Sequence, residues 1–420
     1  MKFTTKNFFA SLTLIVLSFG CGSNSSTGTC SAVSYPDPGQ AYITPSGNNV
    51  VPITVDGSLC QASSQYSNEP CVSVTICTPG TGTCQTISNI LVDTGSYGLR
   101  IFNQVITVPL NPSAAGTIGN CAKFGTGSTW GPVKLADLKL GGEPTILSLP
   151  IQVIDSTFAT VPTSCGTVDT TPQKAGYNGI LGIGLLRQDC GNDCVGGLVP
   201  ETYYSCTVSK MGPTCTVSKM PLANQVQNPI PLLTLNGTGI DNNGVILTFP
   251  SVPANGLPSL NGSMILGIDT QSNNISSGVS IYKTDAFANF QTQLNGKNYP
   301  GFIDSGSNGL YFPKVFSSLP SCGGSSSSFY CPACSTNISA TNTGVSNSSS
   351  GSVTFQVANL NSLPGTNLVF SNTAGVLSDF VDYGLPFFYG RSVFFGIEDK
   401  PAPLNSLSLS PLGNGPYYAY

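Results

Sequence analysis

Two stretches of this sequence read as copies of one another: Ile90-Leu-Val-Asp93-Thr94-Gly95-Ser96-Tyr97-Gly98-Leu99-Arg100 and Gly301-Phe-Ile-Asp304-Ser305-Gly306-Ser307-Asn308-Gly309-Leu310-Tyr311. In each, an apolar run ends in an acid that is followed by a hydroxyl residue, a glycine and a serine. A strand therefore runs into a tight turn whose backbone N–H groups and hydroxyls can converge on one carboxylate. When two such loops face each other, two Asp side chains meet that cannot both ionise. They hold one proton between them and can act together as acid and base.

The rest of the chain fits a β-rich scaffold for such loops. Only 8% of the residues are charged, while Gly (48) and Pro (31) are abundant. Runs of Val, Ile, Leu and Thr alternate between turn residues, which favours strands over helices. At 420 residues the chain is long enough for two domains and a large core. Histidine is absent altogether. That excludes a Ser-His-Asp triad, a Cys-His dyad and any His-ligated metal, and leaves carboxylates as the acid/base groups of a hydrolase. The net charge of −4 carries no basic signature of nucleic-acid binding.

Residues 1–20 read as a secretory leader: Lys2 and Lys6 precede an apolar run from Phe8 to Phe19, too short to span a membrane as a helix. Gly20-Cys21 matches a lipoprotein cleavage site, so Cys21 is the expected lipid-bearing residue and residues 21–45 the polar tether to an envelope membrane, the outer one in this reading. Setting Cys21 aside leaves fourteen of the fifteen cysteines, an even number, as disulfide pairing in an oxidising compartment requires. Cys190-x3-Cys194 and Cys331-x2-Cys334 also match metal-clamp spacings, but disulfide-stapled loops explain them better, and no metal or cofactor is expected. The regions Cys190–Cys215 and Cys322–Cys334 should each be tied locally. Between residues 206 and 220 the hexapeptide Cys-Thr-Val-Ser-Lys-Met occurs twice in tandem, which reads as a surface insertion.

Further landmarks follow the two Asp loops in an order that resembles the pepsin family of aspartic endopeptidases. Phe124-Gly125-Thr126-Gly127-Ser128, running into Val133–Gly142, resembles that family's flap hairpin. Ala175–Gly184 resembles the buried segment that props the first catalytic loop, and Gly262–Asp269 the strand and turn that open the second lobe. Leu310–Pro313 continues the second loop, and Gly384–Phe388, running to Val393–Phe395, resembles the support of that lobe. The leader and the ending Gly415–Tyr420 look like a bacterial lipoprotein branch of the family.

The resemblance implies an all-β, bilobal pepsin-like fold with a cleft between two similar β lobes: residues 46–230, with a Cys-rich insertion near 190–220, and residues 231–420. It implies that Asp93 and Asp304 are catalytic and share a proton and a water. Gly95 and Gly306 donate to the inner carboxylate oxygens, Ser96 and Ser307 to the outer ones, and Thr94 and Ser305 bond across to the opposite loop. Phe124, Gly125, Thr126 and Trp130 are the flap and substrate residues. The flap Tyr of the family and the Trp it bonds are here Phe124 and Arg100, and Trp130, near the flap tip, is the candidate replacement. Arg100 either stands close to Asp93, favouring its ionised form, or points into solvent. Asp382 and Tyr383 occupy positions where the family has apolar residues. The expected function is peptide-bond hydrolysis in an exported monomer, with a polypeptide in the cleft and no nucleic-acid partner. The rival is a binding or structural surface protein that keeps the fold without cutting; a disulfide-stapled adhesin is a third reading.

Overall fold

The computed structural model describes residues 45–57, 66–113, 116–125, 127–209, 212–346, 349–401 and 413–420. The leader, Cys21, residues 21–44 of the tether and Thr126 lie outside the described residues. Among the described residues the chain is nearly all strand, with only two short α-helices, Pro172–Ala175 and Gly191–Gly196.

The alternation seen in the sequence becomes sheet faces. Phe290–Leu294, Phe-Gln-Thr-Gln-Leu, buries its first, third and fifth residues and exposes the others. Gly179–Ile183 is buried at every position because strands flank it on both sides within a closed-over lobe. The strands form a sixteen-stranded sheet, a seven-stranded sheet and a small hairpin, Thr234–Leu235 with Thr238–Gly239.

Both large sheets contain the same wiring. In the first, Cys84–Asp93 runs parallel to Gly179–Ile183, which pairs antiparallel with Tyr97–Phe102 on its other side. In the second, Lys297–Ile303 runs parallel to Val381–Tyr383, which pairs antiparallel with Leu310–Phe312. Each Asp loop therefore joins two strands that are separated by a third, and each lies at the same place in its lobe. This is the all-β, bilobal, pepsin-like architecture.

The lobes are joined by backbone hydrogen bonds. Val50–Val55 pairs with Leu260–Leu266, which pairs with Gly244–Thr248, then with Ser392–Gly396, Tyr417–Ala419 and Ile281–Lys283 in turn. The segment Gly262–Asp269 thus belongs to this shared sheet rather than simply opening the second lobe. Val393–Phe395 lies in it too. The direct prop of the second loop is Val381–Tyr383, one segment before Gly384–Phe388, which forms a buried 3-10 turn over Leu385–Phe388.

Five disulfides join described residues: Cys77–Cys84, Cys121–Cys165, Cys190–Cys194, Cys206–Cys215 and Cys322–Cys331. Most close short loops, as expected where polar segments cannot pack alone. Cys190, Cys194 and Cys331 are consumed in these bonds, so the metal-clamp alternative for them fails. The strands Tyr203–Ser209 and Gly212–Val217, which carry the first residues of each hexapeptide, pair so that Cys206 faces Cys215 directly. This density of disulfides is that of a protein made for an oxidising, exported setting.

Candidate active site

The two Asp loops meet tip to tip, and the contact is reciprocal. Thr94 Oγ1 donates to Ile303 O at 3.0 Å and accepts from Ser305 N at 2.8 Å. Ser305 Oγ donates to Val92 O at 2.6 Å and accepts from Thr94 N at 3.2 Å. All four bonds are buried, so each hydroxyl fixes the backbone of the opposite strand where water cannot compete.

Above this bridge sit the acids. Gly95 N donates to Asp93 Oδ1 at 2.8 Å and Ser96 Oγ to Asp93 Oδ2 at 2.5 Å. Gly306 N donates to Asp304 Oδ1 at 2.8 Å and Ser307 Oγ to Asp304 Oδ2 at 2.9 Å. The glycines are required by space. A Cβ on Gly95 would fall 2.6 Å from the Asp304 carboxyl carbon, and one on Gly306 would fall 2.7 Å from Asp93 Oδ1. Each loop glycine thus lies against the carboxyl of the opposite loop, which brings the two acids face to face.

The pair is not symmetric. Asp93 is buried, and burial, then the charge of Asp304 and the hydrogen bond to it, hold its carboxyl well above the usual range against the pull of Ser96 and Gly95. Asp304 is half-buried and receives a third donor, Gly95 N at 3.1 Å. That one N–H is shared between the two carboxyls, and the deeper burial of Asp93 favours the shared proton on it.

The flap is a hairpin, Ile118–Lys123 with Ser128–Lys139, whose turn is closed by Phe124 N donating to Gly127 O. Phe124 and Gly125 lie at its tip. Arg100 neither approaches Asp93 as a counter-ion nor points into solvent. It is 2% exposed, pairs with Asp189 at 3.3 Å, and donates to Asn120 Oδ1, Gln152 Oε1 and Tyr97 O. Its guanidinium lies over the Phe124 ring, 5.9 Å from the centroid. A cation–π contact thus stands where the flap Tyr and its Trp would hydrogen-bond. Trp130 does not replace that contact: it is fully buried, donates Nε1–H to Ala159 O and meets Tyr204 edge-on. It packs beside the Cys121–Cys165 disulfide, because its position on the strand directs it into that small core and away from the cleft.

A family model described as "Protein of unknown function (DUF3443)" matches residues 45–420. The chain belongs to this family. No curated protein matches it. Among solved structures, this DUF3443 chain is similar to the crystal structure of an aspartic proteinase from Irpex lacteus, with a TM-score of 0.48 and 15% identity over 83% of this chain and 94% of that one.

Beyond the residues the sequence singled out, the site of this DUF3443 protein includes the partners that bury Arg100. Asp189 accepts from Tyr203 Oη at 2.7 Å and from Asn120 Nδ2, and Gln152 Nε2 donates to Asn120 O. The signal for them was Arg100 itself, a cation in an otherwise apolar strand that needs a buried anion. Asp382, read from the sequence as an irregularity in the second support, lies against Ser307, its Oδ2 2.7 Å from Ser307 Oγ.

Proposed function

We propose that this protein is an exported aspartic endopeptidase. The observation that carries the reading is the reciprocal pair of Asp loops, each complete in its glycine and hydroxyl donors, which brings Asp93 and Asp304 together in unequal environments. Asp304, as carboxylate, takes a proton from a water as the water oxygen bonds to the scissile carbonyl carbon, and Asp93 gives its proton to the carbonyl oxygen. As the tetrahedral diol collapses, Asp304 gives its proton to the amide nitrogen, Asp93 takes one from a diol hydroxyl, and the C–N bond breaks. An acid and an amine leave, and the dyad again holds one proton. Gly95, Ser96, Gly306 and Ser307 hold both carboxyls in place through these steps. The flap, with Phe124 and Gly125, covers a peptide in the cleft, and Thr126 belongs to the same turn by sequence.

Cleavage of a denatured protein across roughly pH 3 to 8 tests the reading. Asp93→Asn should lower activity by about 10³-fold or more without unfolding the chain. Failure of wild-type protein to cut at any pH in that range, together with no binding of a peptide inhibitor of aspartic proteases, would leave the rival reading, a cleft that binds without cutting. The flap favours that rival at one point, since Phe124 offers no hydroxyl to a substrate. We also propose that Cys21 carries a lipid that tethers the domain to an envelope membrane, a reading supported by Lys2, Lys6, the apolar run and Gly20-Cys21. Mass spectrometry of the mature N-terminus tests it, and an unmodified Cys21 would remove the anchor.

A further inference from the structure

The matched geometry of the two lobes breaks at one side chain beside the acids. Across the parallel pairing in the first lobe, Leu91 faces Ile180, two positions before Gly182. At the equivalent place in the second lobe, Phe302 faces Asp382, two positions before Gly384. An apolar residue in one lobe is a carboxyl in the other. Asp382 is only 6% exposed, and its Oδ1 has no hydrogen-bond partner among the described residues. Its Oδ2 lies 2.7 Å from Ser307 Oγ, which lies 2.9 Å from Asp304 Oδ2.

A serine hydroxyl has one hydrogen. It cannot donate to two carboxylates, so if both contacts are hydrogen bonds, one of the acids carries a proton of its own and donates it to Ser307. The surroundings decide which. Asp304 already has Gly306 N as a donor and shares Gly95 N with Asp93, whereas among the described residues Asp382 has none besides Ser307. The groups that bear on Asp382 are Asp304 and Asp93 from the two loops, while Tyr311 on the neighbouring strand and Tyr418 feel its charge in turn; none of them is a cation. An ionised Asp382 would be a buried anion beside two other acids with half its acceptor capacity unmet.

We propose that Asp382 is a third acid of this site, a neutral carboxylic acid whose Oδ2–H donates to Ser307 Oγ and so turns the single Ser307 hydrogen onto Asp304. The proposal rests on the endopeptidase reading for its catalytic meaning, although the hydrogen-bond chain itself does not. Burial pushes the Asp382 carboxyl well up, with the charge of Asp304 adding to it, in keeping with the neutral form. The relay strengthens the Ser307 hydrogen bond to Asp304, because a hydroxyl that accepts a bond donates a better one. Asp304 is thereby favoured as the carboxylate that activates water, and the shared proton is driven onto Asp93. Asp382 touches neither substrate nor water in this scheme; it is a positioning residue that sets where the dyad's acid-side titration falls.

The test is a ¹³C-carboxyl NMR titration of the purified mature protein, run beside the pH profile of kcat/KM on a denatured protein. In wild type the Asp382 resonance should keep the shift of a neutral acid across the range in which the dyad takes up its second proton. Asp382→Leu should move the dyad's acid-side titration, and the acid limb of kcat/KM with it, upward by about one pH unit while leaving KM unchanged. Asp382→Asn keeps an N–H for Ser307 and should leave both near wild type. In a Ser307→Ala background, Asp382→Leu should add no further shift. A wild-type Asp382 that ionises below the dyad's second titration overturns the proposal, even if no variant folds. So does an Asp382→Leu profile that is merely lower at every pH. Absence of cleavage with the expected NMR shifts would reject the enzyme and keep the relay; cleavage without the shifts would do the reverse.

Discussion

Thr94→Val is the sharpest probe of the bridge beneath the acids. Valine keeps the shape and the stiff β-branch of threonine and removes only the hydroxyl. Two buried groups then lose their partner: the Ile303 carbonyl, which accepts from Thr94 Oγ1 at 3.0 Å, and the Ser305 N–H, which donates to it at 2.8 Å. A buried polar group left unsatisfied costs about 1–3 kcal/mol, so the variant should lose about 2–6 kcal/mol. Thr94→Ser restores the hydroxyl and loses one methyl in a site that is 2% exposed, which should cost about 1 kcal/mol. Urea unfolding with the disulfides intact, followed by fluorescence and by far-UV CD, gives both numbers if the two probes coincide. The activity of Thr94→Val should fall with its stability, because the same bonds hold the acids in register. A loss below about 1 kcal/mol for Thr94→Val, or an equal loss for Thr94→Ser, would refute the claim that the hydroxyl bonds carry the bridge.

Stability should fall as pH rises from the range of unfolded carboxyls toward neutrality. Asp93, Asp382 and Glu143 all have raised folded-state values, so the fold binds protons more tightly than the unfolded chain, and raising pH favours unfolding. Glu143, pushed up to about 7 by burial with Asp241 beside it, loses its contribution between about pH 4.5 and 7, and Glu143→Gln should flatten the decline in Tm over that window. A Tm that rises through this range would show the sign to be wrong. Arg100→Met leaves Asp189 buried without its cation and should cost about 3–5 kcal/mol, with part recovered when Asp189→Leu is added; chemical denaturation of the single and double variants checks it. Trp130→Phe should cost about 1–3 kcal/mol through the lost bond to Ala159 O and the lost ring volume, and should leave KM unchanged because the ring sits in the core below the flap. A changed KM with unchanged stability would return Trp130 to the cleft.

What the sequence disclosed and what it hid divide along the range of the interactions. Asp93-Thr94-Gly95-Ser96 and Asp304-Ser305-Gly306-Ser307 were legible because a carboxylate and its donors lie within three residues, where turn chemistry alone sets the geometry. The flap hairpin was legible for the same reason, its turn being written in Gly125 and Gly127. Arg100 was noticed, but its anion Asp189 lies 89 residues away, and only the pairing of several strands brings them together. Trp130 lies near the flap tip along the chain yet points into the core, since which face of a strand looks inward depends on a register no local pattern sets. Asp382 has no local explanation in the sequence, since its partner, Ser307, is 75 residues distant.

The shared sheet limits how the two lobes can move against each other. Val50–Val55 and Leu260–Leu266 pair along six consecutive residues, from Val50 with Ile265 to Val55 with Leu260. A hinge that swung the lobes apart would have to break or shear that ladder, and sheets resist such a motion far more than loops do. Among the described residues, the hairpin tip is held by the contact of Phe124 with Arg100 and, just behind it, by Asp169 N donating to Ser128 O at 2.9 Å. Amide exchange should report the difference, fast in the turn around Phe124 and slowest along Leu260–Leu266.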